Sequence, residues 1–153
     1  MTVTDTAPAG TAVTGLSPAE LYFQVQQFYA RQMQLLDDGK AEEWALTFTD
    51  DGVFAANAHP EPAVGRAVIT AAARTATDQY AAGGVQRRHW LGMVSVEERG
   101  ADSVFARCYA IVIETERGGQ ATLRVSTRCD DELVRENGQW LVKHRQVTRD
   151  DLA

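Results

Sequence analysis

The residues best suited to proton chemistry are three histidines, His59, His89 and His144, together with aspartates and arginines gathered in the second half of the chain. The stretch GVQRRHWLGMVSVEERG, residues 84–100, sets His89 behind two arginines at the start of an otherwise apolar run. Histidine titrates near neutrality, with a reference pKa of about 6.5, so a single imidazole can both take and return a proton. The competing role for His89 is that of a packed histidine bonded to a backbone carbonyl. The three histidines show no H-x-x-H or H-E-x-x-H spacing, which argues against a dedicated metal site. There is no Ser/His/Asp nucleophile motif and no glycine-rich phosphate loop, so neither a metal nor an organic cofactor is expected. Asp50 and Asp51, before Gly52, have the spacing of turn and capping residues more than of a catalytic pair.

The 153 residues, 44% of them hydrophobic, suit one globular domain with its own core. A net charge of −6 opposes nucleic-acid binding, which needs clustered cations to neutralise phosphates. No apolar run approaches the ~20 residues of a membrane span, and the first residues lack the basic start and apolar centre of a signal peptide. A cytoplasmic protein is expected. Cys108 and Cys129 have neither CxxC spacing nor the density of a disulfide scaffold, and are expected as buried free thiols.

These groups need elements to position them. Residues 1–15, rich in Thr, Ala, Pro and Gly, predict a disordered leader, with a single domain over 16–150. A first helix opens at LSPAELYFQVQQFYARQMQLLDDG, where Ser17 caps, Pro18 suits the first helical position and Glu20 completes an S-x-x-E box. Leu21, Val25, Phe28, Gln32, Leu35 and Leu36 recur at helical spacing up to Gly39. KAEEWALTF predicts a short second helix carrying Trp44 and Phe48, and VFAAN, with Phe54 and Asn57, a brief strand. AHPEPAVG is a loop in which His59 is expected as a surface histidine, though the loop could cover a pocket mouth. RAVITAAARTATDQYAAGG is a third helix. From residue 85 four β-rich runs, parted by RGAD, RGGQ and RENG, predict an antiparallel meander. Helices first and strands afterwards indicate an α+β fold, three N-terminal helices packed on a curved mixed or antiparallel sheet.

The order of elements, with LLDDGKAEEWALTFTDDGVF leading into a short strand and RENGQWLVKHR forming the last hairpin, resembles the nuclear-transport-factor-two-like cone fold. It is nearest to SnoaL-like polyketide cyclases and the related dehydratases and ketosteroid isomerases. The resemblance covers residues 17–150 and implies one deep, mostly apolar pocket between the helices and the concave sheet face. It places Gln32 where ketosteroid isomerases and bile-acid dehydratases carry a tyrosine, and Ala56 where the isomerase carries its general-base aspartate. Both departures speak against isomerase chemistry of the familiar kind. Asp130 falls on the isomerase's second pocket acid, His89 on the dehydratase histidine, Val112 on the site of that histidine's aspartate partner, and Arg149 on a late dehydratase arginine.

Strand side chains alternate, so each of these anchors fixes its neighbours. His89 inward carries Leu91, Met93 and Ser95 with it and turns Trp90 and Val94 outward. Val112 inward brings Ala106, Cys108 and Ala110. Asp130 inward brings Ser126 and Arg128, which sets Cys129 on the face opposite Cys108. On the last strand Lys143, Arg145 and Val147 share parity with Arg149, and His144 faces out. The outer face, with Phe105, Tyr109, Ile111 and Ile113, is apolar enough to predict a homodimer through the sheet.

Together these features predict a cyclase or dehydratase acting on a polyketide-like substrate. His89 would be the general base or acid, Asp130 its orienting or proton-sharing group, and Arg128 and Arg145 the electrostatic stabilisers of an enolate. The expected substrate-binding residues are Gln32, Phe28, Trp44, Phe54, Asn57, Leu91, Met93, Ser126, Val112 and Arg149. Two alternatives stay open: Asp130 neutralised in a structural network with Arg128 and Arg145, and a non-catalytic ligand-binding or accessory-subunit role for the whole domain. An isomerase or hydrolase using the same pocket is a third.

Overall fold

A computed structural model describes residues 13–152. The expected capping box forms at the first helix, α1 (Pro18–Asp37): Ser17 Oγ accepts from the Glu20 N–H at 3.2 Å, and Glu20 Oε2 accepts from the Ser17 N–H at 2.9 Å. Its inner face, Leu21, Val25, Tyr29, Gln32 and Met33, is buried. A short helix, α2 (Ala41–Ala45), follows. Strand β1 (Phe48–Ala56) then starts earlier than VFAAN suggests, because the TDDG segment runs on within the strand as an irregularity between Phe48 and Val53. Gly52 is needed there: a Cβ would meet Thr49 O at 3.0 Å and Phe48 Cβ at 3.1 Å. Asp50 pairs with Arg66, and Asp51 accepts from Thr49 Oγ1 at 2.8 Å, so both serve this corner.

A two-residue strand, β2 (Ala63–Val64), and the alanine-rich helix α3 (Arg66–Ala82) precede the meander of β3 (Val85–Gly100), β4 (Ser103–Glu116), β5 (Thr122–Glu136) and β6 (Gln139–Arg149). The sheet order is β2-β1-β6-β5-β4-β3, antiparallel except where β1 runs parallel to β6. The last hairpin turns on Asn137 and Gly138, both at positive φ (51° and 76°), as a tight two-residue connection with the sheet's twist requires. The core gathers α1, α2 and the concave side of β4, β5 and β6 around Tyr29, Trp44, Phe48, Leu133 and Val142.

Of the expected leader, residues 1–12 lie outside the described part. Thr14 is buried against β3: its N–H and hydroxyl bond to Glu98, and its carbonyl accepts from Arg135 Nη2 at 2.8 Å. Among the described residues no helix is long and apolar enough to cross a membrane.

Two irregularities change which side chains face inward. On β3 the pairing slips between Gly92 and Ser95, with Met93 at a φ of 53°. A bulge of this kind moves every later side chain to the other face. Met93 (77% exposed) and Ser95 therefore point out, and Val94 packs against the core, the reverse of a strict alternation. On β6 the slip at Glu132/Leu133 leaves Lys143 unpaired in the ladder and exposed.

Candidate active site

Between α1, α2, α3 and the concave sheet lies a cavity of about 1120 Å³, at the upper end of the few hundred to ~1000 Å³ common for ligand pockets. Small residues dominate two of its walls: Ala72, Ala73 and Ala76 on α3, and Ala110 and Val112 on β4. The loop after β1 brings His59 into its lining.

His89 stands in the β3 wall opposite Val112. Its Nδ1 lies 2.5 Å from Asp37 Oδ1, and its backbone N–H donates to Asp37 Oδ2 at 2.9 Å. One carboxylate thus grips both ring and backbone. The side chains are 15% and 6% exposed, so the pair is largely shielded from water yet open to the cavity. With Nδ1–H donated to the carboxylate, Nε2 is left as the lone-pair nitrogen of the neutral ring. The partner expected at the position of Val112 comes instead from the C-terminal residue of α1.

Deeper in, Arg145 is 4% exposed and Asp131 fully buried. Arg145 Nε donates to Asp131 Oδ1 at 2.9 Å and Nη2 to Oδ2 at 2.8 Å, while Tyr29 Oη donates to Oδ2 at 2.8 Å. Arg145 Nη2 also donates to Gln32 Oε1 at 2.7 Å, Gln32 Nε2 to Thr47 Oγ1 at 2.7 Å, and Thr47 Oγ1 to the Trp44 carbonyl at 2.6 Å. Nη1 takes no part in these bonds, and Arg145 lines the cavity. Burial, then the Asp131 charge, hold the Tyr29 hydroxyl well above its usual range. Desolvation works against the Arg145 charge, but Asp131 more than compensates and the guanidinium is held ionised.

Of the residues singled out in the sequence, Trp44, Phe54, His89, Leu91, Val112, Arg145 and Arg149 line the cavity. Gln32 is wholly buried behind Arg145 and positions it rather than facing the space. Phe28 packs against the core beside Tyr29, their ring centroids 5.8 Å apart. Asn57 is exposed and brackets the Arg149 backbone, accepting from its N–H at 2.9 Å and donating to its carbonyl at 3.1 Å.

The inward orientation expected for Asp130, Arg128 and Ser126 is corrected. β5 pairs Cys129 directly with Cys108, which turns Thr127, Cys129 and Asp131 inward. Asp130 sits on the outer face between Arg107 (2.6 Å) and Arg128 (3.0 Å), and Ser126 donates to Asp150. The two free thiols consequently share one face instead of opposing ones. Trp90 and Tyr109 are exposed on the outer face as expected, at 68% and 55%. Among the described residues no cluster of three or more His, Cys, Asp or Glu side chains could hold a metal ion.

Asp37, Asp131, Tyr29 and Thr47 are not singled out by the sequence. For Asp37 a signal exists. An aspartate closing a helix, followed by Asp38 and with no base in the last turn, opposes the helix dipole. A charge placed against its local preference points to a partner elsewhere in the fold.

A helix-backed, cone-shaped sheet enclosing one deep cavity, with an Asp–His pair on its wall, defines a protein of the nuclear-transport-factor-two-like class. A family model, the SnoaL-like domain, matches residues 18–146, and the chain belongs to that family. Aln2 from a Streptomyces species is similar at 36% identity over 90% of this chain and 95% of its own, with a TM-score of 0.82. A Catenulispora acidiphila protein in complex with S-DNPA is 40% identical over 87% and 96%, with a TM-score of 0.76. ActVI-ORFA from Streptomyces coelicolor is 33% identical over 87% and 97%, with a TM-score of 0.80. No curated protein matches the chain.

Proposed function

We propose that the protein is a cyclase or dehydratase that works by general acid–base catalysis, through its own side chains, on a polyketide-type ketone. The observation that carries this reading is the Asp37–His89 pair on the wall of a cavity that also receives Arg145. Asp37 fixes the imidazole so that Nε2 can take an α-proton from a bound ketone. Arg145 Nη1 stabilises the enolate oxygen that results, and Asp131 and Gln32 keep the guanidinium from swinging away. In a cyclisation the enolate carbon attacks a second carbonyl, and the imidazolium returns its proton to the new alkoxide. In a dehydration the proton goes to the departing β-hydroxyl, which leaves as water. The S-DNPA complex of the Catenulispora relative supports a small-molecule occupant. Packing across the exposed Trp90 and Tyr109 face would make the protein a homodimer.

Turnover of a synthetic aryl β-polyketone, read by product mass, tests the proposal. Wild type should give a product of unchanged mass for cyclisation or one lighter by a single water, about 18 Da, for dehydration, and His89→Ala should give neither. Absence of turnover by wild type alone, with stable co-purification of a second enzyme, would favour an accessory-subunit role.

A further inference from the structure

Of the two arginines that precede His89, only Arg87 shares its face. Burial alternates along the start of β3, with Arg87, His89 and Leu91 turned inward and Arg88 and Trp90 outward. Arg87 stands two residues from His89, about 7 Å along the strand, and lines the same cavity. Both groups that it meets line the cavity too. Its guanidinium lies over the Tyr80 ring, with Cζ 4.3 Å from the centroid. Glu114, its cross-strand neighbour on β4, brings a carboxylate oxygen to 3.4 Å from Nε.

The fork of this arginine is left open. Of its nitrogens only Nε is closed off from solvent. Nη1 and Nη2 stay accessible and donate to none of the described residues, in a side chain that keeps 24% of its surface exposed. The charges around it do not cancel either. Glu114 is shared between Arg87 and Arg124, whose Nε lies 4.0 Å from the second carboxylate oxygen, while Arg149 gives its Nε and Nη2 to Asp151. Two cations about one carboxylate leave one positive charge over. A planar guanidinium held by a ring and a carboxylate, with both Nη groups free, matches a carboxylate bidentately. A doubly charged phosphate would meet Glu114 at close range, so a single negative charge fits better. We propose that Arg87 Nη1 and Nη2 bind the carboxylate of a ligand whose ketone reaches His89 and Arg145, so that the protein selects keto acids over their neutral counterparts. The inference rests on the proposed function, in which a ketone fills the cavity.

The anion 3-(1-oxotetralin-2-yl)propanoate and its primary amide share rings, ketone and size, and differ by one charge. Titration calorimetry of each against the protein reads binding, and exchange of the α-proton in heavy water reads enolisation. Wild type should bind the propanoate at least about tenfold more tightly than the amide, as hydrogen bonds to a charged group allow. Arg87→Met should weaken the propanoate to the level of the amide, and in the exchange reaction it should raise KM more than it lowers kcat. Arg87→Lys keeps the charge without the fork and should recover part of the preference. Equal affinity of the two probes in wild type, or a preference that survives in Arg87→Met, would overturn the role of Arg87 and leave the ketone reading in place. Binding of neither probe by wild type would overturn the ketone reading itself.

Discussion

Two aspartate-centred pairs meet the same cavity, one of them only through its arginine, and are built differently. Asp131 is surrounded: Arg145 and Tyr29 donate to it, it is closed off from water, and Gln32 extends the network to Thr47. Asp37 meets His89 from the end of a helix, where the dipole disfavours it, and its partner faces the open space of the cavity. A buried hydrogen-bonded network fixes geometry, and here it holds one guanidinium still through Nε and Nη2. A carboxylate given to a single imidazole at a cavity wall sets the tautomer of a group that, in the proposed reaction, gains and loses a proton. In the proposed reaction the first arrangement holds Arg145 in place for the enolate and the second moves the proton.

Substitutions that remove one member from each pair should separate these roles. Asp131→Ala leaves Arg145 charged and buried without a counter-ion, and should cost about 3–5 kcal/mol in urea unfolding. His89→Ala should lower kcat about 10²–10⁴-fold, the usual contribution of a positioned acid or base, while its cost in the same unfolding assay stays near 1–3 kcal/mol. Recovery of most activity in a His89 variant, with the stability loss falling there instead, would reverse the comparison.

Tyr29→Phe removes one hydrogen bond from Asp131 and should cost about 1 kcal/mol at neutral pH. It should also change the alkaline limb. The folded hydroxyl titrates above its unfolded value of about 10. Its contribution is therefore complete below pH 10 and is lost as pH rises from there through the higher folded value. Wild type should lose stability along this limb, and the phenylalanine variant should lose less. The smallest effect is expected at Asp130→Asn, on the outer face: under about 1 kcal/mol in stability and no change in turnover.

The contrast between Asp130 and Asp131 also shows how far the sequence carries. The capping box of α1, the alanine-rich α3, the meander and the inward set on β4 all follow from local patterns that the fold does not override. Within Asp130-Asp131, alternation says that one carboxylate faces inward but not which, and choosing Asp130 reverses every assignment along β5. Only the register that sets Cys129 opposite Cys108 decides it. Met93 and Lys143 fall to the same difficulty, since a bulge changes parity without a strong mark in composition, Gly92 being the one local hint on β3. His89 is readable because it precedes its bulge. Its partner is not, because Asp37 lies 52 positions away on another element, and its sign is a helix end of the wrong charge.

The most direct test of the Asp37–His89 pair as a proton-transfer device is exchange of the α-protons of α-tetralone in heavy water, followed by proton NMR, since exchange needs only enolisation and not a complete reaction. Wild type should accelerate it, His89→Ala should slow the protein-dependent rate at least about 10²-fold, and Asp37→Asn should fall between them. Exchange that proceeds as fast in His89→Ala as in wild type would contradict the account.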